Sequence, residues 1–110
     1  MPKSTADLLH GTLDAMILKT LSWGRRHGYG IARWLEDTTG DTLRIEEGSL
    51  YPALYRLERR GWIAAEWGVS EHNRKAKFYR LTPVGRKQLQ AETSQWADFA
   101  AAVSKVLLAT

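Results

Sequence analysis

The chain has 110 residues, 44% of them hydrophobic, and a formal net charge of +4. This length suits one domain with a modest packed core. The lack of cysteine excludes disulfides and thiolate metal or redox sites. No apolar stretch is long enough to cross a membrane, and residues 1–7 lack the apolar core of a secretory signal. The sequence therefore predicts a soluble, cytoplasmic protein.

The positive charge is concentrated in one segment. Residues 56–87 hold nine basic residues against three acidic ones, whereas the rest of the chain holds seven basic and nine acidic residues. Such a local excess attracts polyanions such as DNA, RNA or acidic lipid. On charge alone, a solvated surface without any partner is an equally good interpretation.

Two helices are predicted in the first half of the chain. Apolar residues recur at four-residue steps between Thr12 and Trp23, and Asp14 and Lys19 fall off that face. A second helix is predicted from Gly30 to Thr39, with Gly40 as a left-handed stop. A short extended piece, 42–45, follows.

The third predicted helix, Ser49 to Arg60, has two distinct faces. Ser49 suits its N-cap, Pro52 is tolerable in its first turn, and Gly61 ends it. At ~100° per residue one face is apolar and the opposite face is aromatic and cationic. The apolar face carries Leu50, Ala53, Leu54 and Leu57, and the other face carries Pro52, Tyr55, Arg56 and Arg59.

Two strands and a long helix complete the pattern. The strands, Trp62 to Trp67 and Ala76 to Leu81, predict a β-hairpin with a mobile basic tip. Thr82 and Pro83 then form a cap and first turn of a helix that continues almost to the C-terminus. The predicted fold is mainly α with a small β-hairpin. It comprises a winged helix-turn-helix domain over residues 1–81 and a C-terminal dimerisation helix over 82–110.

The third helix and the hairpin are the two DNA-contacting elements of a winged helix, and both fall in the basic segment. Arginines can bind guanine edges or phosphates, and tyrosines can pack on sugars or thymine methyl groups. The predicted DNA-binding residues on the helix are Ser49, Tyr51, Pro52, Tyr55, Arg56 and Arg59, and those on the hairpin are Asn73, Arg74, Lys75 and Lys77. Arg60 could instead be solvated, and Tyr51 could be half buried.

The last helix carries a heptad seam that predicts a homodimer. The seam residues are Leu89, Trp96, Phe99, Val103 and Val106, with Glu92 as a polar interruption. A second copy would cover this stripe, and the two-fold pair would bind a pseudo-palindromic site with half-sites about one helical turn (~34 Å) apart or a multiple of it. The alternative is a helix folded back on its own domain. Leu8 and Leu9 could join the interface.

Enzymatic chemistry is not predicted. The three histidines have no metal-ligand spacing, Gly28-Tyr29-Gly30 lacks the third glycine of a nucleotide loop, and no serine lies in a nucleophile elbow. No metal or cofactor is expected. Two other functions remain open, which are a winged-helix protein-interaction module and a sensor of aromatic ligands.

Four segments resemble the PadR family of bacterial transcriptional regulators. They are LLHGTLDAMILKTL, HGYGIARWLE, EGSLYPALYRLERRGWI and EWGVSEHNRKAKFYRLTPVGRKQL, which lie between Leu8 and Leu107. The chain resembles the subgroup with a short C-terminal helix. Trp34, in place of a polar residue, and Phe78, in place of the frequent tyrosine, depart from the pattern.

The resemblance implies a winged-helix dimer that usually acts as a repressor. It places the recognition helix at 49–60, the wing at 68–75 and Tyr29 near DNA phosphates. Some members respond to phenolic or planar aromatic compounds, which suggests a small aromatic effector at Trp96 and Phe99, although these rings could simply fill the seam.

Overall fold

The computed structural model describes residues 11–110, so the interface role of Leu8 and Leu9 lies outside the described residues. Within residues 11–110 four helices and three strands follow one another. In order they are α1 (Thr12–Thr20), β1 (Arg26–His27), α2 (Gly28–Thr38), α3 (Glu47–Arg59), β2 (Ile63–Val69), β3 (Lys75–Leu81) and α4 (Pro83–Leu107). A 3₁₀ turn, Leu21–Trp23, continues α1. This order of helices followed by a hairpin is that of a winged helix, as predicted.

Two glycines in the left-handed conformation end α2 and α3. Gly40 has φ of 56° and Gly61 has φ of 75°, where a side chain would be strained. After each glycine the chain makes the two backbone bonds of a Schellman motif, such as Trp62 N–H to the Leu57 carbonyl at 3.1 Å. The predicted stops are confirmed.

The sheet has three strands rather than the predicted two. Its order is β1-β3-β2, and both pairs are antiparallel. β1 contributes only Arg26 and His27, which pair with Tyr79 and Phe78. A two-residue strand is too short to show alternation in a sequence, and residues 42–45, which we expected to be extended, form no strand.

The core lies between the three N-terminal helices and the sheet. The predicted inner faces supply its centre, because Ile17, Ile31, Leu54 and Leu57 are at most 1% exposed. Tyr79 closes the core on the sheet side.

α4 is attached to the sheet through its N-terminal turn. The Thr82 hydroxyl accepts the Gly85 N–H, as its predicted role as N-cap requires, and donates to the backbone carbonyls of Gly61 and Trp62. Gly85 packs so closely on the Trp62 carbonyl oxygen that a Cβ at this position would overlap it. The other end is open, since residues 101–110 are all exposed. Within residues 11–110 no helix is long and apolar enough to span a bilayer.

Candidate nucleic-acid interface

α3 has the orientation that its periodicity predicts. Leu50, Ala53, Leu54 and Leu57 are buried, whereas the helix positions on the opposite side are exposed. Those exposed positions are Tyr51, Pro52, Tyr55, Arg56 and Arg59. The helix therefore presents an aromatic and cationic surface to solvent.

Tyr55 and Arg59 form a preorganised pair on this surface. They lie one turn apart, Arg59 Nη1 donates to the Tyr55 hydroxyl at 3.3 Å, and its guanidinium carbon is 5.7 Å from the ring centroid. The ring is 61% exposed. A guanidinium held over a ring keeps several N–H donors directed outward, which suits a guanine edge or a phosphate.

Arg56 is exposed, but its guanidinium is held by a neighbouring carboxylate. Its Nη2 donates to Oδ1 of Asp14 at 2.9 Å, and Nη1 of Arg60 lies 3.6 Å from the other oxygen of the same carboxylate. Asp14 is only 7% exposed, although the sequence placed it away from the buried face of α1. Arg60, which we considered solvated, is also 5.0 Å from the Trp62 ring centroid. Both arginines therefore tie α3 to α1.

The start of α3 differs from the prediction. The helix begins at Glu47 with Glu46 as N-cap, so Ser49 is not a cap. The Ser49 N–H donates to the Glu46 carbonyl at 3.0 Å and is not available to a phosphate. Pro52 consequently lies in the second turn and not the first, on the exposed side of the helix, where it cannot donate the backbone bond to the carbonyl of Gly48.

A groove of about 410 Å³ separates the starts of α2 and α3 from the hairpin, and Tyr29, Tyr51, Lys75 and Lys77 line it. Tyr51 is 46% exposed, and its inner edge packs at Gly28, where a Cβ would stand 3.0 Å from the ring. The suggestion that Tyr51 is half buried is thus correct. Tyr29 is 64% exposed.

The turn into α2 is held by a histidine. His27 is the N-cap, and its Nδ1 accepts the Gly30 N–H at 2.9 Å. Its ring also meets Phe78 edge-on at 5.6 Å and lies 6.3 Å from the ring of Tyr29. The contacts join the start of α2 to the sheet and set the position of Tyr29.

The hairpin, which we call the wing, has a closed tip at residues 70–74. Ser70 N–H donates to the Arg74 carbonyl at 2.8 Å, Asn73 N–H donates to the Ser70 carbonyl at 2.9 Å, and Asn73 takes the left-handed conformation with φ of 58°. These bonds assign Asn73 to the turn and leave Arg74 and Lys75 exposed beside it.

One face of the wing carries lysines alternating with aromatic rings. Lys75 Nζ is 5.0 Å from the Trp67 ring centroid, and Lys77 Nζ is 5.7 Å from that of Tyr79. Lys77 also lies 3.5 Å from Glu58. Trp67 is 64% exposed and was missed as a site residue. Its spacing of four residues from the buried Ile63, which puts both on one face of a strand, was visible in the sequence, but its proximity to Lys75 depends on the cross-strand register.

The seam of α4 divides into a buried and an exposed part. Leu89 is 8% exposed and belongs to the core of its own chain, so it is not a surface residue of the predicted interface. Trp96, Val103 and Val106 are 46%, 37% and 74% exposed, and the ring of Phe99 lies 6.0 Å from that of Trp96. The stripe begins one heptad later than predicted because the first turns of α4 pack on the domain.

A mostly apolar groove of about 410 Å³ lies between α1 and α4. Ala15 and Met16 form one wall and Trp96 the other, with Glu92 and Thr93 beside it. Phe99 is adjacent through its contact with Trp96. Among the described residues no group of three His, Asp or Glu side chains is arranged to hold a metal.

The chain matches the model of the transcriptional regulator PadR-like family over residues 17–91. Among curated proteins it is 32% identical to the uncharacterized protein X of Lysinibacillus sphaericus over 93 residues, which cover 84% of this chain and 85% of that protein. It is 38% identical over 64 residues to a transcriptional regulator of Mycobacterium tuberculosis, covering 58% of this chain and 46% of the relative.

Solved structures of similar proteins cover nearly the whole chain. A transcriptional regulator from Clostridium thermocellum superposes with a TM-score of 0.80 at 31% identity, over 90% of this chain and 96% of the other. A PadR-like transcriptional regulator from Bacillus cereus superposes with a TM-score of 0.78 at 27% identity, over 94% and 99% of the two chains. The similarity extends through the wing and into the last helix.

Proposed function

Since this chain belongs to the PadR-like family of transcriptional regulators, we propose that it is a homodimeric, sequence-specific DNA-binding repressor whose α3 enters the major groove. Members of this family are DNA-binding winged-helix proteins and not enzymes. In a winged helix the third helix enters the major groove and the hairpin reaches the flanking backbone or minor groove. α3 is therefore the recognition helix of the proposal.

The Tyr55–Arg59 pair carries the proposal. Its side chains are exposed on the face of α3 opposite the core, and the cationic wing lies beside the same helix. The pair supplies direct contacts to bases, and Tyr29, Tyr51, Arg74, Lys75 and Lys77 supply contacts to sugars and phosphates. Ser49, whose hydroxyl is exposed in the first turn, and Pro52 line the approach to this surface.

Arg56 has a positioning role in this proposal. The buried Asp14 fixes its guanidinium, and the exposed part of the side chain, 46% of its surface, faces solvent beside the Tyr55–Arg59 pair. It contributes positive potential at a fixed location. Arg59 therefore has the larger share in distinguishing bases.

The dimer forms through the exposed part of the α4 seam, with residues 82–110 as the dimerisation segment. Trp96, Phe99, Val103 and Val106 supply an apolar stripe that a monomer would leave in water. A two-fold pair would place two copies of α3 on half-sites about one helical turn (~34 Å) apart, or a multiple of it. The operator is then pseudo-palindromic.

Binding to the DNA upstream of its own reading frame tests the function. We expect the chain to retard this fragment in a gel-shift assay at salt concentrations that abolish retention of a random duplex. Arg59→Ala should lose this preference, whereas Lys87→Ala, which removes an exposed charge from α4, should keep it. Repression is tested by a reporter gene fused to the same fragment, whose expression should fall when the chain is supplied.

A second role, as a sensor of a small aromatic effector, is favoured by the groove between α1 and α4. The groove offers an apolar wall and the indole of Trp96, which suit a planar ring. Titration of tryptophan fluorescence with a panel of phenolic compounds, in the parent and in Trp96→Phe, tests this role. A flat response from the parent would exclude the site.

A protein-interaction module without DNA binding is favoured instead if reversing the charge of Arg59 and Lys75 leaves promoter occupancy unchanged.

A further inference from the structure

A second cationic surface lies on the far side of the wing. Here a cleft of about 690 Å³ opens between β1, α2 and the end of β2, and Arg25, Arg26 and Arg33 line it together with the rings of Tyr29 and Phe78. None of these arginines belongs to the basic segment 56–87 or to the recognition helix.

The cleft and the lysine side of the wing occupy opposite faces of one hairpin. Along β3, Phe78 alternates with Lys77 and Tyr79, so its ring lies on the other face of the strand. The guanidinium carbon of Arg25 is 4.5 Å from the centroid of that ring. The wing therefore has positive charge on both faces, with lysines on one and arginines on the other.

Arg25 and Arg33 are held by neighbouring side chains and remain exposed. Arg25 bonds Glu66 at 3.1 Å, an exposed pair that keeps about half of each side chain in water. Arg33 donates to the Tyr29 hydroxyl at 3.3 Å. Arg26 Nε is buried and has no hydrogen-bond partner within the described part of the chain.

Two acidic side chains line the cleft against three arginines, and a third carboxylate pairs with one of those arginines. Asp37 and Glu71 line it, and Glu66 reaches it through Arg25. Asp37 and Glu71 are exposed, as Arg25 and Arg33 are, so solvent and salt weaken their mutual attraction. Paired guanidinium groups that retain free N–H donors bind phosphate oxygens well.

The cleft is continuous with the groove that contains Tyr51 and Lys77. His27, Tyr29 and Ser70 line both, so the two grooves meet beside the wing. A minor groove is about 6 Å wide and is bounded by a phosphate strand on each side. Cations on both faces of an inserted hairpin would therefore meet both strands.

We propose that Arg25, Arg26 and Arg33 bind phosphates of the DNA backbone, on the strand opposite to the one contacted by Lys75 and Lys77. This inference rests on the proposed function. It enlarges the DNA-binding surface by one strand and places the wing between the two backbones of the flanking minor groove.

The salt dependence of DNA binding tests the proposal. The logarithm of the affinity for a random duplex falls linearly with the logarithm of the salt concentration. In the double variant Arg25→Gln/Arg33→Gln the slope of this line should be shallower, by about 0.9 for each phosphate that an arginine no longer neutralises. The matched control, Arg86→Gln/Lys87→Gln, removes the same charge from exposed positions of α4 and should keep the parent slope. Circular dichroism confirms that both variants are folded.

A second measurement locates the cleft on the DNA. The chain has no cysteine, so one introduced thiol can carry a cleaving iron chelate without competing sites. A chelate on Lys75→Cys should cut mainly one strand of the DNA. A chelate on Asp37→Cys, at the cleft, should cut mainly the opposite strand. A chelate on Lys87→Cys should cut neither strand.

The outcomes separate this inference from the proposed function. If the parent chain binds no duplex, the proposed function fails. If the parent binds and the double variant keeps its slope, or if Asp37→Cys does not cut, the cleft makes no backbone contact and the inference alone is overturned. The slope could stay unchanged while the parent binds benzoate saturably and the double variant does not. The cleft would then be a site for a small aromatic anion and not for DNA.

Discussion

Arg56 Nη2 lies 2.9 Å from Oδ1 of Asp14, so the exposed face of α3 is tied to a carboxylate buried in α1. The two residues are 42 positions apart in the chain. Because a buried carboxylate is costly without a donor, this pair fixes both the rotation of α3 and the position of its arginine. A side chain on the proposed DNA-binding face therefore also supports the fold.

Removing the guanidinium from this pair should destabilise the fold. We expect Arg56→Ala to lower the free energy of unfolding by about 2 kcal/mol, since Asp14 keeps only the longer contact to Arg60. Arg59→Ala removes a guanidinium that contacts the exposed Tyr55 ring and should stay within about 0.5 kcal/mol of the parent. Urea denaturation measures both, and equal stabilities would show that Asp14 does not depend on Arg56.

Two glycines should respond oppositely to alanine. At Gly85 a Cβ overlaps the Trp62 carbonyl oxygen, and Gly85→Ala should cost about 2–3 kcal/mol. At Gly48, within α3, a Cβ meets no atom within 4 Å, so Gly48→Ala should stabilise the chain by about 0.5 kcal/mol through the unfolded state. Thermal denaturation distinguishes the two. A harmless Gly85→Ala would mean that α4 can move away from the sheet.

The stability of the chain should fall at alkaline pH because of Tyr79. Burial raises the pKa of its phenol above the ordinary value of 10.0, and nearby Glu58 and Tyr51 raise it further. Above pH 10.0 the folded chain therefore binds more protons than the unfolded chain, and stability decreases with increasing pH. The contribution is complete below that pH and is lost as the pH passes the folded-state pKa.

The substitution Tyr79→Phe should flatten this alkaline decrease. Denaturation midpoints between pH 8 and 11, measured in urea, are the test, and Tyr55→Phe, which removes an exposed hydroxyl, should retain the parent profile. Parallel profiles for Tyr79→Phe and the parent would assign the alkaline loss to another group.

A charge in the exposed seam should separate the proposed dimer. Val103→Asp would place a carboxylate in the apolar contact and should convert the sedimenting species to the monomer mass. Ala101→Asp adds the same charge on the opposite side of α4 and should leave the dimer intact. An unchanged profile for Val103→Asp would refute the seam.

Much of the candidate interface could be predicted because its geometry depends on local periodicity. The inner and outer faces of α3 follow from its leucines and from the 100° step of a helix, and the caps at Thr82, Gly40 and Gly61 follow from residue type. The predicted start of α3 was wrong by two residues because Ser49 is a residue type that often caps helices. The N-cap is instead Glu46, whose side chain makes no capping hydrogen bond.

The sequence by itself determined the order of the helices and of the two hairpin strands, the apolar face of α3 and the segment that holds the excess charge. These properties depend on neighbours within one or two turns. Only the tertiary structure decided that Asp14 binds Arg56 and Arg60, that Leu89 belongs to the core, and that β1 brings Arg25 and Arg26 beside Phe78. Such contacts join residues far apart in the chain. The burial of the Asp14 carboxylate requires the arginines, and the register of the three strands sets which side chains meet on the sheet.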